Sequence, residues 1–271
     1  LENPAITEAS GLARSSLEND RLWVINDGGS PPVLYAIGTD GSDHGSLTLE
    51  AASNIDWEAI ASFELDGKAW LLIADTGDNE AARRYSTVYV VEEPTLDRGA
   101  DVTAMPAWTI RFRWPEGPLD CEAVAVDAAA ERILLLSKRS IPAVLYELPL
   151  RAPDRGAIAI ATRLGAVQAL PPPTADDLAR AAPERNWHWQ PTAMDIVPGG
   201  DRAVILTYRA VYHFTRAAGE SWLATLQKAT AVRDLAGIRE AEAVAFSGDA
   251  DHVHVTVEAP HPPLYRIRPG R

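Results

Sequence analysis

One short segment recurs five times along the chain. It reads Ser10-Gly11-Leu12-Ala13, Glu58-Ala59-Ile60-Ala61, Glu122-Ala123-Val124-Ala125, Thr192-Ala193-Met194-Asp195 and Glu242-Ala243-Val244-Ala245. Each copy runs polar, small, apolar, then small or acidic, and a repeat of this period constrains the fold more than any single motif can. Tiny side chains suit strands that crowd around a common axis. After each copy comes an apolar run: Leu22 to Ile25, Trp70 to Ile73, Ile133 to Leu136, Ala203 to Leu206 and His252 to Val257. After each of those comes a tyrosine in a further apolar run: Tyr35, Tyr89, Tyr146, Tyr212 and Tyr265.

Apolar, β-branched runs separated by Gly, Pro and Asp turns read as strands. Fourth strands are expected after most units, for example Ala107 to Trp114 and Ala157 to Leu164. Units of four antiparallel strands repeated around an axis are the blades of a propeller. The expectation is therefore an all-β chain forming one β-propeller domain over residues 1–271, with five blades. A six-bladed ring with one degenerate blade and a β-sandwich are the alternatives. No fourth strand is legible after Ile267, so the segment before Glu8 is expected to close the ring, with Pro4 limiting its pairing. A short capped helix is expected from Thr174 to Ala182, inside the insert from Pro171 to Trp189.

In a propeller the start of an inner strand and the end of the second strand share one end of the channel. Ser10, Glu58, Glu122, Thr192 and Glu242 should therefore form one ring, preceded by Glu8, Asp56, Asp120, Gln190 and Glu240. A second ring should come from Asp27, Asp75, Lys138, Tyr208 and Glu258, with Asn26, Asp78, Asn79, Arg139 and Arg209 beside it. So many carboxylates on one rim repel one another unless some are protonated or a cation binds. Oxygen donors with neither cysteine nor clustered histidine suit calcium or magnesium. A divalent cation, calcium in the first place, is the expected cofactor.

Divergent polar side chains at equivalent repeat positions point to an asymmetric ligand at this rim. Lys138, Arg139, Tyr208, Arg209, Asp75, Asp78 and Asn79 are the expected ligand-binding residues, with the basic ones holding an anionic group. Glu122 is the expected general base if the site is catalytic. As rim positions, Lys138 and Arg209 are expected to tolerate replacement by Ala with folding nearly intact. Trp187-His188-Trp189 is read as packing at the channel mouth rather than as a stacking platform.

The formal net charge of −13 disfavours nucleic acid and anionic membranes as partners. No apolar run is long enough for a membrane helix, so no membrane insertion is expected. A small-molecule ligand or substrate is the expected partner, with a protein partner also open. Cys121 is the single cysteine, so no internal disulfide is possible. The sequence contains no HExxH, no GxSxG, no Walker loop and no GxGxxG.

Glu8-Ala9-Ser10-Gly11-Leu12-Ala13 and Asp56-Trp57-Glu58-Ala59-Ile60-Ala61 resemble blocks of bacterial propeller families, among them the SdiA-regulated proteins and the esterase-like phytase group. Gly77-Asp78-Asn79 and Thr207-Tyr208-Arg209 are similar to blocks of secreted bacterial propellers. The resemblance implies a propeller and a secreted or periplasmic bacterial location. A broader similarity is to calcium-dependent propeller hydrolases of the gluconolactonase and paraoxonase type. It implies a channel calcium held by Glu58, Glu122, Glu242, Asn26 and Asp27. The function expected is an exported propeller binding a divalent cation and a small ligand. The alternative is a calcium-dependent hydrolase of a small ester, lactone or phosphoester.

Overall fold

The computed structural model of the chain describes residues 1–151, 156–179 and 188–268. Five sheets stand around one axis. The first holds β1 (Ala9–Arg14), β2 (Arg21–Asn26), β3 (Val33–Gly38) and β4 (Asp43–Leu49). The second holds β5 (Trp57–Leu65), β6 (Lys68–Asp75) and β7 (Ser86–Glu92); β8 (Ala100–Ala104) then leaves to join the first sheet, and β9 (Trp108–Arg113) completes the second. The third holds β10 (Ala123–Asp127), β11 (Arg132–Leu136) and β12 (Val144–Pro149). After these, β13 (Ile158–Ile160) returns to the second sheet and β14 (Thr162–Ala166) closes the third. A short helix α1 (Ala175–Ala179) follows. The fourth sheet holds β15 (Pro191–Ile196), β16 (Arg202–Thr207), β17 (Ala210–Thr215) and, after helix α2 (Trp222–Thr225), β18 (Ala231–Asp234). The fifth holds β19 (Ala241–Phe246), β20 (Val253–Val257) and β21 (Tyr265–Ile267).

The five recurring segments are the inner strands. Each touches the next in sequence order, and β19 touches β1, so the ring closes as a five-bladed propeller. Inner-strand side chains alternate between the two neighbouring interfaces, as the period of a strand demands. Ile60 faces the first blade while Ala59 and Ala61 face the third. The result is one apolar core per interface, five in all. The tyrosines occupy equivalent places: Tyr35, Tyr89, Tyr146, Tyr212 and Tyr265 pair with Val24, Ile73, Leu135, Ile205 and Val255 of their second strands. Each packs into the interface with the preceding blade, which is why the same residue recurs.

Buried carboxylates tie blades together between these cores. Glu93 accepts from the Trp23 indole at 2.8 Å and from Ser16 N at 2.9 Å. Asp127 accepts from the Trp222 indole at 2.7 Å and from Arg216 at 3.0 Å.

Three expectations about the outer strands need correction. The run Ala157 to Leu164 divides between two strands in two different sheets. β13 lies parallel to β9 and β8 lies parallel to β4, so two outer edges carry a strand borrowed from a neighbouring connection. The segment before Glu8 is not a strand. It closes the ring by packing, with Ile6 buried among Leu12, Ala243 and Ala245. The helix expected to Ala182 is described only as far as Ala179; its last residues, and Trp187, lie outside the described residues. No helix among the described residues is long and apolar enough to cross a membrane.

Candidate functional site

Four of the five inner strands carry a register shift at their start, between Ala9 and Gly11, Trp57 and Ala59, Pro191 and Ala193, and Ala241 and Ala243. The residues skipped are Ser10, Glu58, Thr192 and Glu242, four members of the expected ring. A bulge frees one residue from the ladder and re-aims its side chain. Ser10 and Thr192 turn to the next blade, donating to Trp57 O at 2.7 Å and to Ala241 O at 2.8 Å. Glu58 and Glu242 remain as buried acids at the channel mouth, and Glu122 sits in the matching place just before β10.

Two overlapping groups of carboxylates result. Asp27, Asp56 and Glu58 bring one oxygen each within 4.8 Å of one another, and so do Glu58, Asp120 and Glu122. The second group already contains cations. Lys138 is buried and donates to Glu122 Oε1, while Arg139 Nε donates to Asp120 Oδ2 at 2.7 Å. Asp120 Oδ1 also accepts from Asp78 N at 3.0 Å. The Lys138 ammonium stands 5.5 Å from the centre of the Tyr208 ring, and Tyr208 donates to Glu242 Oε1 at 2.6 Å.

The first group feels Arg83 and Lys138 only at a distance, with no cation paired to Asp56 or Glu58 among the described residues. Among the described residues, neither Asp56 nor Glu58 has a hydrogen bond or ion pair on its carboxylate, and Glu58 is only 6% exposed. Burial, reinforced by Glu122 and Asp27, pushes the Glu58 carboxyl well above its ordinary range. Burial, with Asp27 and Asp120 adding repulsion, lifts Asp56 to about 6. Burial also raises Glu122 far up against the pull of Lys138, and Glu242 to about 7. Burial works against the Lys138 charge, but Glu122, Glu242 and Glu58 outweigh it and hold the ammonium above its ordinary range. Glu122 Oε2 and Gln190 Oε1 are buried with no hydrogen-bond partner among the described residues.

The backbone approaches this site closely at two glycines. A Cβ on Gly77 would stand 2.5 Å from Asp56 Oδ2 and from Glu58 Oε1, and one on Gly28 would stand 2.7 Å from Asp56 Oδ1. A cleft of about 450 Å3 opens above Asp27, Gly28, Ile55, Asp56, Asp78 and Arg83. Its wall is the Thr76 to Tyr85 turn, which Asp78 organises by accepting from Ala82 N at 2.8 Å and Arg83 N at 2.9 Å.

Several residues expected in the site are placed otherwise. Asn26 and Asp75 hold the same register position, facing Ala9 and Trp57. Both secure the chain entering the inner strand. Asn26 Oδ1 accepts from Thr7 N at 3.2 Å and Glu8 N at 3.3 Å, and Asp75 Oδ1 accepts from Asp56 N at 3.1 Å. Asp75 therefore matches Asn26 rather than Asp27, is fully buried, and pairs with Arg83 at 2.8 Å. Lys138 is no open rim residue: it is 4% exposed, so the expectation that its loss leaves folding intact is withdrawn. Arg139 pairs with Asp120 and with Asn79, at the cleft's edge. Arg209 is exposed on the turn between β16 and β17. Trp189 is buried beside Gln190 at the start of β15.

Asp56 and Asp120 stand in the expected rim ring but carry no expected metal or ligand role, and Arg83 and the two glycines have no place in it. A signal for the acids was present, since Asp56 and Asp120 each stand two residues before a ring glutamate. Nothing in the sequence marks Arg83, whose place depends on how the turn after β6 folds back.

No protein-family model matches the chain, and no curated protein sequence matches it. Three solved structures align with most of its length at low identity. Hydrazine synthase of Kuenenia stuttgartiensis is 11% identical with a TM-score of 0.47, covering 96% of this chain and 71% of that one. The β-propeller domain of Cps50 (Swd1) of Myceliophteria thermophila is 13% identical with a TM-score of 0.45, covering 97% and 72%. A luciferin-regenerating enzyme is 10% identical with a TM-score of 0.48, covering 98% and 94%. Likeness at this level carries no argument about what the chain does.

Proposed function

We propose that the channel mouth binds one divalent cation through Asp27, Asp56 and Glu58, and that a small ligand docks above it in the adjoining cleft. The observation that carries this reading is the buried Glu58 carboxylate, unpartnered among the described residues and shared by both acid groups. A buried carboxylate without a partner is costly, and a cation is the simplest relief. The Lys138 ammonium serves the second group as a built-in cation, which leaves the first group for the metal. All-oxygen donors on flexible acids suit calcium over transition metals. Three carboxylates without further fixed ligands fit the higher calcium concentrations of an exported setting, in keeping with a secreted or periplasmic protein.

The ligand is neutral or cationic. Lys138, Arg139 and Arg83 are committed to Glu122, Asp120 and Asp75, so none of them is left to hold a phosphate. The acids around the cleft, even with the charge of one bound cation set against them, leave it net negative and disfavour an anion.

A hydrolytic reading draws on one further observation. Lys138 holds Glu122 Oε1 while Oε2 keeps its acceptor capacity, as a general base requires. A cation bound beside it would polarise the carbonyl of a neutral ester or lactone.

Melting curves recorded with calcium and with a chelator test the binding reading. Calcium should raise the melting temperature of the parent protein, since a ligand of the folded state stabilises it, and leave Glu58→Gln unmoved. An equal rise in both proteins would put the cation elsewhere. Turnover of neutral esters or lactones, lost in Glu122→Gln, would select the hydrolase; binding without turnover would select the receptor.

A further inference from the structure

A second cavity, of about 390 Å3, lies between the fourth and fifth blades at the opposite end of the propeller. The strands place it there: Arg202 begins β16, Thr215 ends β17 and Phe246 ends β19, all at the ends away from the channel mouth. Its floor includes the buried Phe246, while the neighbouring Phe214 side chain turns to the interface between the third and fourth blades. Its polar lining includes Arg202, Arg268, His213 and Asp251.

Two features set this cavity apart. In a chain with a net charge of −13, basic side chains here outnumber the acidic ones, Arg202 and Arg268 against Asp251. Asp251 lies 3.7 Å from Arg202, and its side chain is 78% exposed, so it screens the arginine weakly. The second feature is His213. Its ring stacks edge-on to Phe246, is almost wholly buried, and leaves Nε2 without a hydrogen-bond partner among the described residues. Buried polar nitrogens are normally paired, and an orphan in a cavity wall calls for a partner from outside the chain.

We infer that this cavity is a second binding site, for a small carboxylate with an apolar body. The apolar part would rest on Phe246. The carboxylate would accept from the Arg202 guanidinium, whose NH1 is steadied by Ala250 O at 2.8 Å, and from His213 once the ring turns its buried Nε2–H toward the cavity. Burial depresses the His213 pKa to about 4, so the ring is neutral at physiological pH and binds as a hydrogen-bond donor. The site is independent of the cation at the channel mouth.

Benzoate is the probe, with benzyl alcohol as its neutral counterpart. Titration of the parent protein, followed by the His213 ring resonances in NMR, should show saturable shifts with a dissociation constant on the order of 1 mM or tighter. Benzyl alcohol should bind at least about tenfold more weakly, and Arg202→Ala should weaken benzoate by a similar factor. Glu58→Gln should bind benzoate as the parent does. Unmoved His213 resonances would overturn the inference, as would equal binding of the alcohol, which would mean apolar filling alone. The parent-protein titration decides the matter even if Arg202→Ala fails to fold.

Discussion

Lys138 donates to one oxygen of Glu122, and the other oxygen of that carboxylate is buried with no partner among the described residues. Each holds the other's charge in a place neither would occupy alone. Removing one member of a buried pair costs about 3–5 kcal/mol, because the survivor is stranded. Lys138→Met should therefore destabilise the protein by that amount in urea unfolding. Combining it with Glu122→Gln should recover part of the loss, since Glu122 is then no longer a stranded charge, although Glu242 and Glu58 still lack the ammonium. A single variant as stable as the parent would show that the pair is not buried together.

The sign of the pH dependence follows from the raised acids. A carboxyl whose folded pKa lies above its unfolded value adds stability below the unfolded value and loses it as pH rises through the folded one. Asp56 at about 6 and Glu242 at about 7 thus destabilise the cation-free protein as pH climbs. Calcium needs the ionised acids, so its stabilising effect should be small near about pH 5 and full near about pH 8. His213 and His254, both lowered to about 4 by burial, act in the opposite sense: their contribution is lost as pH falls from the ordinary histidine range. The difference between melting temperatures with and without calcium cancels the histidines and isolates the site.

Gly77→Ala should abolish calcium binding, because the new Cβ would meet Asp56 and Glu58 at 2.5 Å. Affinity should fall by at least about tenfold, or about 1.4 kcal/mol. Gly67→Ala is the control. It introduces a side chain at φ +72 with open space around it, so it should cost stability without touching affinity. Equal calcium affinity in both variants would remove Gly77 from the site.

The ring was legible because packing around an axis demands small residues at Ala59, Ala123 and Ala243, and an interface between blades demands the same tyrosine five times. Each is a local solution that repeats. The borrowed strands β8 and β13 were not legible, since propensity marks a strand but not the sheet that takes it. The bulges at Ser10, Glu58, Thr192 and Glu242 were hidden for a related reason: they answer crowding of the backbone, which leaves no single residue type behind. Asn26 and Asp75 read as ligands by chemistry, but their register placed them against the entering backbone. Lys138 read as a rim cation because its neighbours in sequence are rim residues; its buried partner Glu122 stands just before the adjoining inner strand β10.

Asp127→Ala should destabilise the propeller by about 2 kcal/mol, because the Trp222 indole and Arg216 lose their acceptor. Calcium affinity should not change, as this tie lies between the third and fourth blades away from Asp27, Asp56 and Glu58. A parallel loss of calcium binding would mean that the site depends on the whole ring and not on its own side chains.

Isothermal titration of calcium into the protein at mildly alkaline pH tests the central claim most directly. One calcium per chain should bind, Asp56→Asn and Glu58→Gln should each weaken it at least about tenfold, and Asn26→Ala should leave it unchanged apart from any loss of stability. No heat at millimolar calcium, or binding as tight in Glu58→Gln as in the parent, would contradict a cation held by Asp27, Asp56 and Glu58.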